Sequence, residues 1–251
     1  MSCVDIRGCR IGEGRPKVIL PIVERTEAAI LEKAAQFSTL PADCVEWRAD
    51  WFEGFQSPAA IARCVQKLRV ALRDKLLLVT FRTKAEGSEQ ALSHKEYLAF
   101  LRLILDTDCA DLLDIEFFTA GADLPALVEQ AHSAGITVVC SSHDFTKTPP
   151  RAELVSRMVQ MQQAGADLPK LAVMPQCRSD VLELLAATAE MADLHPETPV
   201  ITMSMGALGA MSRLAGEAFG SAMTFANPGQ ASAPGQVSLN IVNEVLDALH
   251  L

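Results

Sequence analysis

Leu168-Pro-Lys170-Leu-Ala-Val-Met-Pro175 is a short apolar run with one lysine near its start. Its length and its prolines suit a buried parallel strand better than a helix. In an extended chain Lys170 shares a face with Ala172 and Met174, while Leu171 and Val173 point the other way. An ammonium held against apolar neighbours loses hydration, which lowers its pKa and frees the amine as a nucleophile. The competing reading is a lysine that snorkels from the strand end into water. The rest of the chain decides between them.

Seven further stretches read as strands of the same kind. They are Lys17 to Val23, Cys44 to Arg48, Leu76 to Arg82, Leu112 to Phe117, Thr137 to Ser141, Val200 to Met205 and Ser221 to Phe225. Helix signals fall between them. Thr26 caps the first helix, Ser57-Pro58 opens the second, and Ser93-His-Lys-Glu96 fits a capping box for the third. Gly135 stops a helix from Leu124 to Ala134, and Gly165 stops one from Arg151 to Ala164. Helices over Val181 to Met191, around Ser212 to Leu214, and over Leu239 to Leu249 follow the last three strands. The opening segment from Cys3 to Gly14 alternates and breaks at glycines, as a small β-hairpin does.

Eight strand–helix pairs with short connections, and no Gly-rich phosphate fingerprint after the first strand, favour a (β/α)8 TIM barrel over a doubly wound sheet. No linker, charge block or low-complexity segment divides the chain, so residues 1–251 read as one domain. The longest irregular stretch, Ala226 to Gln236, is either a flap over the barrel mouth or a plain linker.

Composition narrows the function classes. At 49% hydrophobic and 21% charged, the chain has the make-up of a globular protein with a large core. Its net charge of -9 argues against a nucleic-acid or other polyanion binder, although a local cluster of arginines can still grip a small anion. Seven scattered cysteines without a CxxC pair read as reduced thiols, neither a disulfide frame nor a metal site. The first residues lack the pattern of a signal peptide, and no apolar run is long enough for a membrane span. A cytoplasmic protein without a membrane partner is the expectation.

In such a barrel, polar side chains at the C-terminal strand ends face the active site. Glu46 and Arg48 share a face on the second strand. Arg82, Lys84 and Glu86 keep one parity if the third strand stays extended that far. Asp114 with Glu116, and Ser141 with His143, repeat the spacing, and Arg213 follows the seventh strand. Each pair alone can be a structural ion pair or a strand-bridging hydrogen bond. Their gathering at one end points to a catalytic site. An iminium on a lysine makes the carbon beside a ketone acidic, and an imidazole can move that proton. A carboxylate on the other ring nitrogen fixes the tautomer, and arginine forks clamp a carboxylate. A keto acid fits, with either elimination or C–C cleavage beside the carbonyl.

Val45-Glu46-Trp-Arg48, Phe81-Arg82-Thr-Lys-Ala-Glu86-Gly87, Ser141-Ser-His143-Asp-Phe145, Pro169-Lys170-Leu-Ala, Met203-Ser-Met205, Ser212-Arg213 and Ala231-Ser232-Ala-Pro-Gly-Gln236 together resemble type I 3-dehydroquinate dehydratase, in order and spacing. The resemblance runs from Gly12 to the last helix and implies a homodimeric (β/α)8 barrel of the shikimate pathway. It implies that Lys170 forms a Schiff base with the C3 ketone of 3-dehydroquinate. His143 then takes the C2 proton and protonates the departing C1 hydroxyl, with Glu86 orienting it. It further implies that Arg213, Ser232 and Gln236 hold the substrate carboxylate. Glu46, Arg48 and Arg82 bind ring hydroxyls and neighbouring polar groups, and Met203 and Met205 line the ring pocket. No metal and no other cofactor is implied, because the lysine is itself the electron sink. The segments Ala226-Asn-Pro-Gly-Gln230 and Gly206-Ala-Leu-Gly209 depart from the family pattern by lacking charge. Two other readings stay open: a class I aldolase, which would grip a phosphate near the seventh and eighth strands, and a non-catalytic binder of shikimate metabolites.

Overall fold

Apolar residues in runs of four to six, each followed by a capped amphipathic segment, fold here into parallel strands wrapped by helices. The computed structural model describes residues 2–229 and 235–251. A hairpin of β1 (Val4–Ile6) and β2 (Cys9–Ile11) opens the chain. Then β3 (Lys17–Ile22), α1 (Glu27–Phe37), β4 (Cys44–Arg48), α2 (Pro58–Leu72), β5 (Leu76–Thr80) and α3 (His94–Leu105) alternate. Next come β6 (Leu112–Glu116), α4 (Phe117–Ala120), α5 (Leu124–Ser133), β7 (Thr137–Asp144), α6 (Arg151–Gln163), β8 (Leu168–Val173) and α7 (Arg178–Leu194). The last quarter holds β9 (Ile201–Ser204), α8 (Ala210–Leu214), α9 (Gly216–Phe219), β10 (Met223–Asn227), β11 (Val237–Ser238) and α10 (Leu239–Ala248). Thr26, Ser57 and Ser93 cap their helices with side-chain hydrogen bonds, and Ser93 and Glu96 complete a capping box.

The sheet runs β11-β10-β3-β4-β5-β6-β7-β8-β9, with every neighbouring pair parallel. Its two ends curl to meet at a parallel bridge between Val200 and Ser221. There Ala222 N donates to Val200 O at 2.8 Å, and Thr202 N donates to Ser221 Oγ at 3.0 Å. A serine hydroxyl thus supplies part of the seam where the ladder is shortest, and the sheet closes as a TIM-like barrel.

Alternation along each strand separates two apolar layers. Trp47, Leu77, Leu113, Val138 and Leu171 face outward and pack against helix residues such as Ile30, Leu68, Leu101, Leu127 and Met158. Ile19, Leu76, Leu112, Val139, Leu168, Ile201 and Met223 face inward at the strand starts. Ile6 and Ile11 of the hairpin join this inner layer, so the hairpin plugs the N-terminal mouth. Ile11 is fully buried, and burial of such a side chain contributes about 1.5–3 kcal/mol. With this apolar layer at the bottom, the buried charged residues Glu46, Arg82, Glu86, Asp114, Glu116 and Lys170 lie toward the C-terminal ends.

Three sequence expectations change at this end. The third barrel strand stops at Thr80, because Lys84–Glu86 turns as a 3-10 helix capped by Gly87 at φ 96°. Arg82, Lys84 and Glu86 therefore do not share one extended face: Arg82 and Glu86 are buried and Lys84 is exposed. The fifth strand runs on to Asp144 and so carries His143 on the sheet itself. The eighth is Met223–Asn227, shifted toward the C-terminus, with Ser221 left to the seam. Of the irregular stretch, Ala226 and Asn227 are strand and pair with Val237 and Ser238.

Candidate active site

The register explains which side chains meet. Ser141 pairs with Lys170, and Glu116 pairs with Ser141, across adjacent parallel strands. In a barrel, inward residues of alternate strands form common layers. So Asp114 of β6 and Lys170 of β8 reach each other across β7, with Lys170 Nζ 3.3 Å from Asp114 Oδ2. Nζ also lies over the Phe225 ring, 4.8 Å from its centroid. Lys170 is 3% exposed, so it does not snorkel into water. Its surroundings differ from the purely apolar ones that the strand pattern suggests, since a carboxylate and an aromatic face both touch it.

Arg82 organises the floor around this amine. Its Nη1 donates to Glu116 Oε1 at 3.0 Å, Ser141 Oγ at 3.0 Å and Glu86 Oε2 at 3.3 Å. Its Nη2 donates to Asp114 Oδ1 at 2.9 Å. Glu116 also accepts from Thr83 N and Thr83 Oγ1, which ties the loop after β5 to β6. For Asp114, burial alone would raise the pKa, but Arg82 and Lys170 outweigh it and hold the carboxyl below its usual range.

His143 and Glu86 form the second feature. Glu86 Oε2 accepts from the His143 backbone N at 3.1 Å and meets the ring Nδ1 at 2.8 Å. Glu86 Oε1 is buried without a hydrogen-bond partner among the described residues. Burial pushes the Glu86 carboxyl up to about 8, ahead of the opposing pull of Arg82. Burial, then the cations Arg82, Lys170 and Arg48, push the His143 imidazole well below its usual value. With Nδ1 assigned as the donor to Glu86, the lone pair sits on Nε2. A neutral imidazole so oriented is a proton acceptor.

These groups line one cavity of about 350 Å³, within the size range of small-molecule sites. Glu46, Arg48, Arg82, Glu86, His143, Lys170, Met203, Met205, Arg213 and Gln236 all border it. Ser232 lies outside the described residues. Glu46 accepts from Thr80 Oγ1 at 2.9 Å. Arg48 forms a two-pronged pair with Asp50, at 2.8 and 2.7 Å. Arg213, on α8, is 2% exposed and meets no carboxylate among the described residues; its Nη1 approaches Met203 Sδ at 3.6 Å. Burial lowers its guanidinium to about 10, and its Nε has no partner among the described residues. A buried cation of this kind is costly until an anion arrives.

Sequence reasoning left Asp50, Phe145 and Phe225 out of the site. Asp50 carried a usable signal, because it continues the parity of Glu46 and Arg48. Phe225 stood at the end of a strand and Phe145 two residues past His143, but apolar rings announce no chemistry.

Comparison with known proteins identifies the family. The family model described as type I 3-dehydroquinase matches residues 18–251. The 3-dehydroquinate dehydratase of Bacillus licheniformis is 46% identical over 247 residues, covering 98% of this chain and 97% of the relative. That of Bacillus subtilis is 46% identical over 250 residues, covering 100% and 98%. The crystal structure of type I 3-dehydroquinate dehydratase from Clostridium difficile, with covalently modified comenic acid, superposes with a TM-score of 0.96 at 42% identity, covering 99% and 98%. The carboxyl transferase domain of Rhizobium etli pyruvate carboxylase, at 13% identity and a TM-score of 0.67, shares the fold alone. A family match spanning nearly the whole chain, and end-to-end relatives close to half identical, mean that this chain belongs to the type I 3-dehydroquinase family.

Proposed function

We propose that this chain dehydrates 3-dehydroquinate to 3-dehydroshikimate by syn elimination through a Schiff base on Lys170. The observation that carries the reading is a buried amine and a carboxylate-oriented imidazole bordering one cavity. The Lys170 ammonium gives up one proton and its amine adds to the C3 carbonyl; that proton returns to the carbinolamine hydroxyl, which leaves as water and gives the iminium. The iminium draws electrons from the C2–H bond, and His143 Nε2 takes that proton, giving an enamine. The enamine expels the C1 hydroxyl, which takes the proton back from the imidazolium and departs as water. Hydrolysis of the remaining iminium frees the product and the lysine.

Neighbouring groups suit these steps. Asp114 at 3.3 Å and the Phe225 ring at 4.8 Å lie where a cationic nitrogen is favoured. The Glu86 carboxyl beside Nδ1 gives up its proton more readily once the ring is charged, and so supports the imidazolium. Arg213 takes the substrate carboxylate, with Gln236 beside it at the cavity wall and Ser232 assigned there by the motif alone. Glu46 and Arg48 serve ring hydroxyls, Met203 and Met205 line the ring, and Arg82 holds the carboxylates of the floor. The wider reading is a single-domain cytoplasmic enzyme of the shikimate pathway that works as a homodimer. Among the described residues no helix is long and apolar enough to cross a membrane.

Borohydride reduction with and without 3-dehydroquinate, followed by peptide mapping, tests the mechanism. The expected result is substrate-dependent mass on the Lys170 peptide, absent in Lys170→Ala. Product formation with Lys170 unmodified would overturn it, and aldol cleavage without dehydration would overturn the reaction class.

A further inference from the structure

The Phe145 ring stands where a side chain on Gly87 would stand. A Cβ built on Gly87 falls 2.2 Å from Phe145 Cε2 and 2.6 Å from Cζ, closer than any real contact. Gly87 also needs its positive φ of 96° to cap the turn that presents Glu86. The same ring lies nearly parallel to that of His143, with centroids 6.4 Å apart and planes at 18°. Phe145 is 40% exposed and belongs to neither apolar core, so core packing does not account for it. It stands beside the base and against the turn that carries the base's partner.

We propose that Phe145 is a positioning residue, which clamps the Glu86–Gly87 turn against His143 and keeps water off the imidazole. The proposal rests on the functional reading above for its effect on turnover, but its structural half stands apart from any activity. Glu86 and Arg82 face His143 from β5 and its loop, Arg48 from β4, Lys170 from β8, and Asp114 and Glu116 stand behind them on β6. Those charges stay in place when the ring is removed. The change is in hydration, and burial is the largest cause of the low His143 pKa. Without the ring, the imidazole moves up toward its ordinary value. The turn also gains room to carry Glu86 away from Nδ1.

The test uses Phe145→Ala, Phe145→Tyr, Gly87→Ala and the Gly87→Ala/Phe145→Ala double variant. The His143 ring is titrated by NMR in the ligand-free protein, and kcat and KM are measured beside it. Phe145→Ala is expected to shift the titration upward and to lower kcat between about 10- and 100-fold, with KM within about twofold. Phe145→Tyr keeps the ring and stays near wild type in both. Gly87→Ala costs less in the Phe145→Ala background, where the clash is gone and only the φ strain remains; thermal melts read the same coupling if the single variant is inactive. A His143 titration unmoved by Phe145→Ala overturns the proposal whatever the activity, as do strictly additive losses in the double variant. Wild-type protein that fails to dehydrate 3-dehydroquinate would sink the functional reading while leaving the titration and melting arms to decide on Phe145.

Discussion

Asp114 and Lys170 sit on strands that are not neighbours, yet Oδ2 and Nζ lie 3.3 Å apart with Asp114 fully buried. The other carboxylate oxygen is taken by Arg82 Nη2 at 2.9 Å and Ser141 Oγ at 2.7 Å. One anion therefore serves two cations in a place without bulk water. Removing one partner of such a pair is far more damaging than the pair's net worth, because the remaining charge stays buried. Asp114→Asn is expected to destabilise the protein by about 3–5 kcal/mol. For a chain of this size that is a fall in Tm on the order of 10 °C. A thermal melt within about 2 °C of wild type would show that Asp114 is not the counter-charge of Lys170.

Arg213 presents the opposite balance. It is buried, its Nε has no partner among the described residues, and burial holds it near 10. In its proposed role Arg213 trades stability for an anion site. Arg213→Leu should therefore melt no lower than wild type, and a few degrees higher where the leucine packs against Met203. The same variant should lose substrate affinity, with KM up roughly 10- to 100-fold, as expected for one lost charge-assisted hydrogen-bonding group. Arg213→Lys keeps the charge without the fork and should fall between the two. A variant that melts well below wild type would mean the guanidinium is structural.

Much of this site was legible before any coordinates, and the reasons are physical. Parity on β4 and β6 is a property of extended backbone, so Glu46 with Arg48 and Asp114 with Glu116 fall on one face wherever the strand persists. Parity failed after Thr80, where a capped turn replaced the strand, and Glu86 reached His143 by the turn's geometry instead. The length of β7 was misjudged because Ser142 and His143 look like loop residues, though both are ordered by pairing with Leu171 and Ala172. The Arg82 hub was invisible, because bonds from one guanidinium to Glu86, Asp114, Glu116 and Ser141 depend on tertiary closeness that no local spacing encodes.

Glu86 gives the protein a pH dependence that can be isolated. Its folded value of about 8 lies above the ordinary 4.5, so the folded state binds a proton that the unfolded chain has released. The stability this contributes is fully present below about 4.5 and is lost as pH rises through about 8. His143 works in the other direction. Its folded pKa is depressed, so its contribution is present above 6.5 and is lost as pH falls toward the folded value. Glu86→Gln removes the first effect and leaves the second. Urea unfolding at intervals from pH 5 to 9 should show the variant gaining on wild type as pH rises. A difference between the two proteins that is constant across that range would contradict a raised Glu86.

Gly235 and Gly206 meet backbone to backbone beside the cavity. A Cβ on Gly235 would stand 2.1 Å from the Gly206 carbonyl oxygen and 2.4 Å from its carbon, and the φ of Gly235 is +75°. Neither obstacle is the end of a flexible side chain, so Gly235→Ala must shift the main chain itself. The residue moved with it is Gln236, which borders the cavity. Gly206 opens the segment that leads to α8 and Arg213, so the displacement falls on the wall assigned to the substrate carboxylate. KM is expected to rise several-fold with kcat changed much less, because Lys170, His143 and Glu86 are held by other elements. Gly229→Ala is the control, since a Cβ there meets nothing within 4 Å among the described residues. Equal kinetics for the two variants would show that the Gly235–Gly206 contact does not set the position of Gln236. A fall in kcat without a change in KM would place the effect on the chemistry rather than on the carboxylate.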